Sequence, residues 1–247
     1  MGTNWSQGEA PEFEPRGRVL QIHVESQNYD TEAKVEEKTV EKNLPHSFEG
    51  IIKNSDSDID RSSVKKLYDQ LHAGVFLNQK RKRYWVDKKS NKNCFMVLSR
   101  GLAITWAEDA RFWHWQNLKD TTTDEVIEVA ELLNVCWLEV CGKFEIEKLS
   151  PATLYEVVFV IMLKDATAAY GWEIPVNLSL SLPDGSKFNC RESLMTKPRC
   201  QWIEIPIGEF TTSTQNVGNI TFSMYEHEGG KWKRGLVIKG IAIRPKD

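Results

Sequence analysis

The chain has 247 residues, room for one large domain and a tail, and its hydrophobic share, 40%, lies below the usual globular level, so part of it is not core. A net charge of −3 excludes a protein that gathers polyanions by overall charge. Residues 1–60 carry 6 basic and 13 acidic residues, net −7, which leaves net +4 for residues 61–247. Residues 1–60 are polar and acidic without sustained periodicity and read as a flexible, disordered tail. The opening Met1-Gly2-Thr3-Asn4-Trp5-Ser6 fits the N-myristoylation pattern, which makes Gly2 a candidate lipidation residue. One acyl chain alone gives only marginal membrane binding. No apolar run is long enough to span a bilayer, so no stable membrane insertion is expected.

The domain proper is expected to occupy 61–247. It starts at a short helix: Ser62-Ser63 can cap it, Val64, Leu67, Tyr68 and Leu71 share one face, and Gly74 ends it. The run Lys80-Arg81-Lys82-Arg83 beside Tyr84-Trp85 is either a solvated strand end or a patch for nuclear import or nucleic-acid phosphates. Lys88 to Asn93 turns the chain, and Cys94 to Leu98 returns as a strand.

Leu102 to Gln116 places Trp106, Trp113 and Trp115 within ten residues. Leu102, Ile104 and Trp106 alternate with Ala103 and Thr105, and Phe112-Trp113-His114-Trp115 alternates again after a polar turn. This predicts two strands with a tight connection. The indoles are either core or a binding platform, since a flat apolar ring suits the C–H face of a pyranose or a base. Further strands are expected at Val135–Cys141, at Thr153–Leu163, which is apolar on both faces as a central strand would be, and at Val176–Leu182, Trp202–Ile207, Ile220–Tyr225 and Leu236–Ile243. About ten short strands and almost no helix predict an all-β, jelly-roll-like β-sandwich.

Few residues in the chain are spaced for catalysis or metal binding. The chain has no nucleophile elbow, P-loop or dinucleotide fingerprint, and no histidine pairs with another ligand at metal spacing, so neither an enzyme nor a metal or cofactor site is expected. Cys94, Cys136, Cys141, Cys190 and Cys200 are odd in number, and no apolar segment follows the N-terminus. A reducing cytosolic or nuclear setting is therefore expected. Glu226 shares strand parity with Ile220, Phe222 and Met224 just before the Gly229-Gly230 turn. A carboxylate there is either at a wet rim or on a ligand, because a buried unpaired charge is costly.

Several segments together resemble the plant phloem protein 2 family, with its Nictaba-like lectin domain. They include Tyr84-Trp85-Val86-Asp87, Leu102 to Trp106, Phe112-Trp113-His114-Trp115, Asn134 to Val140, Tyr170-Gly171-Trp172, Thr221 to Glu226 and Lys239 to Pro245. The resemblance covers about three quarters of the chain in order. It implies a non-catalytic lectin that binds chitooligosaccharides, which are N-acetylglucosamine oligomers, and N-glycan cores, without metal or cofactor, in the cytoplasm, the nucleus or the phloem, and as a homodimer. It assigns the sugar site to Trp106 and Trp113, near Trp115, and to Glu226. A further acid of the family's site is Asn219 here. Rival expectations are an RNA-binding phloem carrier using residues 80–92, separable by the steep salt dependence of phosphate binding, and a filament component crosslinked through Cys136 or Cys141.

Overall fold

The computed structural model describes residues 44–120, 123–213, 215 and 217–246; Gly2 lies outside them. Among the described residues thirteen strands form two packed sheets. They are β1 (Val75–Leu77), β2 (Lys82–Val86), β3 (Asn93–Leu98), β4 (Ala103–Ile104), β5 (Trp113–Lys119), β6 (Val126–Leu132), β7 (Leu138–Glu145), β8 (Leu154–Leu163), β9 (Val176–Ser181), β10 (Lys187–Glu192), β11 (Trp202–Thr211), β12 (Asn219–Glu226) and β13 (Leu236–Pro245). The smaller sheet runs β10-β9-β12-β7-β4. In the larger, β13 pairs with β8 along its length on one side. On the other side it pairs with β6 through Val237–Ile238 and with β3 through Gly240–Ile243.

The period-2 pattern explains the layering. Tyr155, Val157, Phe159 and Ile161 of β8 face Ile220, Phe222 and Met224 of β12 and Leu138, Val140 and Phe144 of β7 in one shared core. Packing leaves no spare room at Gly142. A Cβ there would lie 2.3 Å from the Phe222 ring and 2.9 Å from Leu102. Gly142→Ala should therefore lower stability by about 1–3 kcal/mol, the usual cost of overpacking, and a shifted urea midpoint at unchanged slope would show it.

The helix expected after residue 62 is α2 (Val64–Ala73): the Ser63 hydroxyl accepts from the Lys66 N–H, and Gly74 closes it at φ +90°. Two expectations need correction. The tail does not extend to residue 60. A short helix α1 (Phe48–Ile52) buries Phe48 and Ile51 in the core, so the packed domain begins no later than Leu44. Nor do the two tryptophan-bearing strands form a hairpin. β4 pairs with β7 in the smaller sheet, whereas β5 pairs with β6 at the edge of the larger, so residues 105–112 cross from one layer to the other. In addition, the strand expected from Val135 begins at Leu138, and β6 and β10 are further strands.

Candidate functional site

The crossing segment sets the geometry. After β4 the Thr105 N–H still donates to the Glu139 carbonyl (3.0 Å), and Trp106 then turns the chain at φ +61°. That is an uncommon conformation for a bulky residue. The turn is held from below by the two tryptophans of β5. Trp113 Nε1–H donates to the Thr105 carbonyl and Trp115 Nε1–H to the Ala107 carbonyl, both at 3.0 Å. The result is that Trp106 stands outward, 47% exposed, with Phe112 behind it at 5.2 Å between ring centroids. Beside it lies an open hollow of about 730 Å3 lined by Ala103, Ile104, Trp106, Glu108 and Asp109. The Arg111 guanidinium, bonded to Asp109, holds that carboxyl below the usual carboxylate range.

The three indoles thus separate. Trp113 is 2% exposed and packs into the main core, so it offers no face to a ligand and its role is to hold the turn. Trp115 is half-buried, and the Arg100 guanidinium carbon lies 3.6 Å from its ring centroid, itself bound to Glu128. One face of Trp115 is therefore occupied.

Glu226 is neither a wet rim acid nor open to a ligand. It is 1% exposed, one carboxylate oxygen accepts the backbone N–H groups of Glu228 and Gly229, and the other pairs with Lys233. Lys233 is fully buried and also donates to the carbonyls of Cys136 and Lys231, 3.0 Å each. Burial pushes the Glu226 carboxyl up, but Lys233 and the two N–H groups outweigh it and hold it below the ordinary value. The pair staples the 226–235 loop to the segment before β7. Asn219 sits at the far end of β12 from Glu226, seven residues or roughly 23 Å away along the strand, next to a different hollow lined by Ser47, Glu145 and Lys148. The fold does not bring the two together.

Other residues gather where Glu226 was expected to act. Glu139 Oε2 accepts from the Thr105 hydroxyl (3.1 Å) and from Trp137 Nε1–H (3.3 Å). The exposed Trp137 ring stacks on His227 at 4.2 Å and 14°, and Tyr225 also stacks on that histidine, at 5.4 Å and 24°. Tyr170 and Trp232 are also exposed. They are on loops tied together by Arg234 N–H to Tyr170 O, by paired bonds between Val135 and Lys233, and by Leu133 N–H to Phe112 O. Trp106, Trp137, Tyr170 and Trp232 therefore crown one end of the sandwich. Strand parity carries a signal for Trp137, Glu139 and Tyr225, which alternate with the inward Leu138, Val140, Met224 and Glu226.

The basic run is dispersed. Lys80 bonds Glu125 (2.8 Å) and lies over Phe76. Lys82 lies over Phe144, its ammonium destabilised by burial and then by Lys148. Arg83, on the opposite face of β2, donates to the Ala73 carbonyl and lies over Trp85. Arg81 is exposed, between residues turned to different partners. Among the described residues no group of three or more His, Cys, Asp or Glu is placed to hold a metal, and no helix is long and apolar enough to cross a membrane.

The chain is similar to known proteins over most of its length. The family described as Phloem protein 2 matches residues 92–245. The chain is 46% identical over 205 residues to Protein PHLOEM PROTEIN 2-LIKE A1 of Arabidopsis thaliana, covering 82% of this chain and 81% of that one. It is 44% identical over 208 residues to a protein named Lectin from Luffa acutangula, covering 83% and 97%. Matches of this extent establish that the chain belongs to the Phloem protein 2 family.

Proposed function

We propose that the chain is a non-catalytic lectin whose ligand stacks on Trp106 at the aromatic end of the sandwich. The observation that carries this is the exposed Trp106 ring, fixed in its turn by the buried Trp113 and half-buried Trp115 indoles and backed by Phe112, while the Glu139 carboxylate holds the hydroxyl of the adjacent Thr105. A pyranose can lay its C–H face on the ring while its hydroxyls or an acetamido N–H reach the carboxylate, which has lone pairs beyond those used by Thr105 and Trp137. The relative named Lectin supports the class, and N-acetylglucosamine oligomers and N-glycan cores are the ligands we assign to it. The phloem is the proposed place of action, since the relatives are named for it. Pairing of two copies would raise avidity through multivalency.

Trp106→Ala should reduce binding to a chitooligosaccharide matrix roughly thirtyfold or more, as loss of a central aromatic anchor does. Because the ring is half exposed, stability should change by only about 0.5 kcal/mol. A folded variant that is still fully retained on the matrix would reject this site.

A further inference from the structure

The outward face of the smaller sheet holds a groove of about 530 Å3 that none of the expected site residues lines. Its floor is a row of four small side chains in register: Ala103 of β4, Cys141 of β7, Ser223 of β12 and Ser179 of β9. The next row is Lys143, Thr221 and Ser181. A sheet exterior usually carries long charged side chains, and their replacement here by small and hydroxylated ones is what opens the space. Volumes of about 300–1,000 Å3 are those of small-ligand sites. The lining contains one cation and no carboxylate, which suits a neutral ligand better than a polyanion or a metal ion. Ala103 lines both this groove and the hollow beside Trp106, so the two adjoin at that residue.

We propose that the groove is an extension of the Trp106 site and receives the sugar units that follow the stacked one in a neutral, linear oligosaccharide. This rests on the lectin assignment. Neighbouring strands are ~4.8 Å apart, close to the length of one β-linked pyranose unit. Successive units therefore pass over Ala103 and Cys141 and then meet the hydroxyls of Ser223 and of Ser179 or Ser181. Serine and threonine hydroxyls both donate and accept, as sugar hydroxyls do.

Cys141 supplies a direct readout because its thiol lines the groove, half-buried and free. Cys190 and Cys200 are exposed and serve as internal controls, whereas burial pushes the Cys94 thiol up to about 12 and removes it from the comparison. The experiment measures binding of the di-, tri- and pentasaccharides of β1,4-linked N-acetylglucosamine to the full chain, to Trp106→Ala and to Ser223→Trp. In parallel, the rate of iodoacetamide alkylation at each cysteine is followed by mass spectrometry. Affinity should rise roughly tenfold or more from the di- to the pentasaccharide, and Ser223→Trp should abolish that rise while leaving disaccharide binding unchanged. The pentasaccharide, but not the disaccharide, should slow alkylation of Cys141 severalfold without affecting Cys190 or Cys200. Binding that needs Trp106 but is independent of length and leaves Cys141 unprotected overturns the groove and spares the Trp106 site. Cys141 protection that survives Trp106→Ala supports the groove and rejects Trp106 as the platform. No binding of any length by the unmodified chain rejects both.

Discussion

Glu226→Gln is expected to cost about 3–5 kcal/mol of folding stability, and adding Lys233→Met to it should recover much of that loss. Both partners are out of solvent. Removing the carboxylate leaves the Lys233 ammonium with only the carbonyls of Cys136 and Lys231, and an uncompensated buried charge is far worse than no charge at all. The acid dependence follows from the direction of the Glu226 shift. Its carboxyl lies below the ordinary value of 4.5 in the folded chain. The pair's contribution is therefore fully present above that value and is lost as pH falls through the lower folded-state pKa. Urea midpoints from pH 7 down to pH 3 should show that decline in the unmodified chain and a smaller one in Glu226→Gln. The same variants separate a positioning role from a contact role. If Glu226 only staples the 226–235 loop, sugar binding should fall with stability in the single variant and return in Glu226→Gln/Lys233→Met. A single variant that stays fully stable yet loses binding would make Glu226 a ligand contact.

Much of the fold was legible because the periodic segments are long and self-consistent. The helix at Val64–Ala73 had its face, its Ser63 cap and its Gly74 stop in the sequence, and β8, apolar on both faces, is held between β11 and β13. β6 was hidden because Glu128 and Glu131 interrupt its alternation. Their charges are accommodated by Arg100 and Lys164, partners that sequence spacing does not reveal. β10 was hidden because, as an edge strand exposed almost throughout, it has no buried face to imprint a pattern. Phe48 and Ile51 were lost in polar surroundings, since five helical residues are too few to show a period. At the site, residue type was legible and exposure was not. Trp113 and Trp115 read equally as core or as platforms, since both faces of the strand that carries them bear aromatics. The loop that covers them comes from the other sheet, and only the fold shows that their N–H groups meet its carbonyls.

That arrangement leads to the last expectation, an opposite response of two neighbouring tryptophans. Trp113→Ala should lower stability by about 3–5 kcal/mol, the range for truncating a large buried aromatic. The loss has two parts. The cavity left in the core is one, and the other is the Thr105 carbonyl, which loses the indole donor that fixes the turn ahead of Trp106. Trp113→Phe isolates the second part. It keeps much of the ring but leaves the carbonyl unpaired, which should cost about 1–3 kcal/mol, and it should weaken sugar binding because Trp106 is no longer pinned. Trp106→Ala removes the platform with little change in the urea midpoint. Binding lost in Trp113→Phe in proportion to added denaturant sensitivity at residues 105–112, read by amide hydrogen exchange, supports a brace beneath the site. A Trp113→Phe chain with the exchange pattern of the parent but no affinity would mean that the indole itself reaches the ligand.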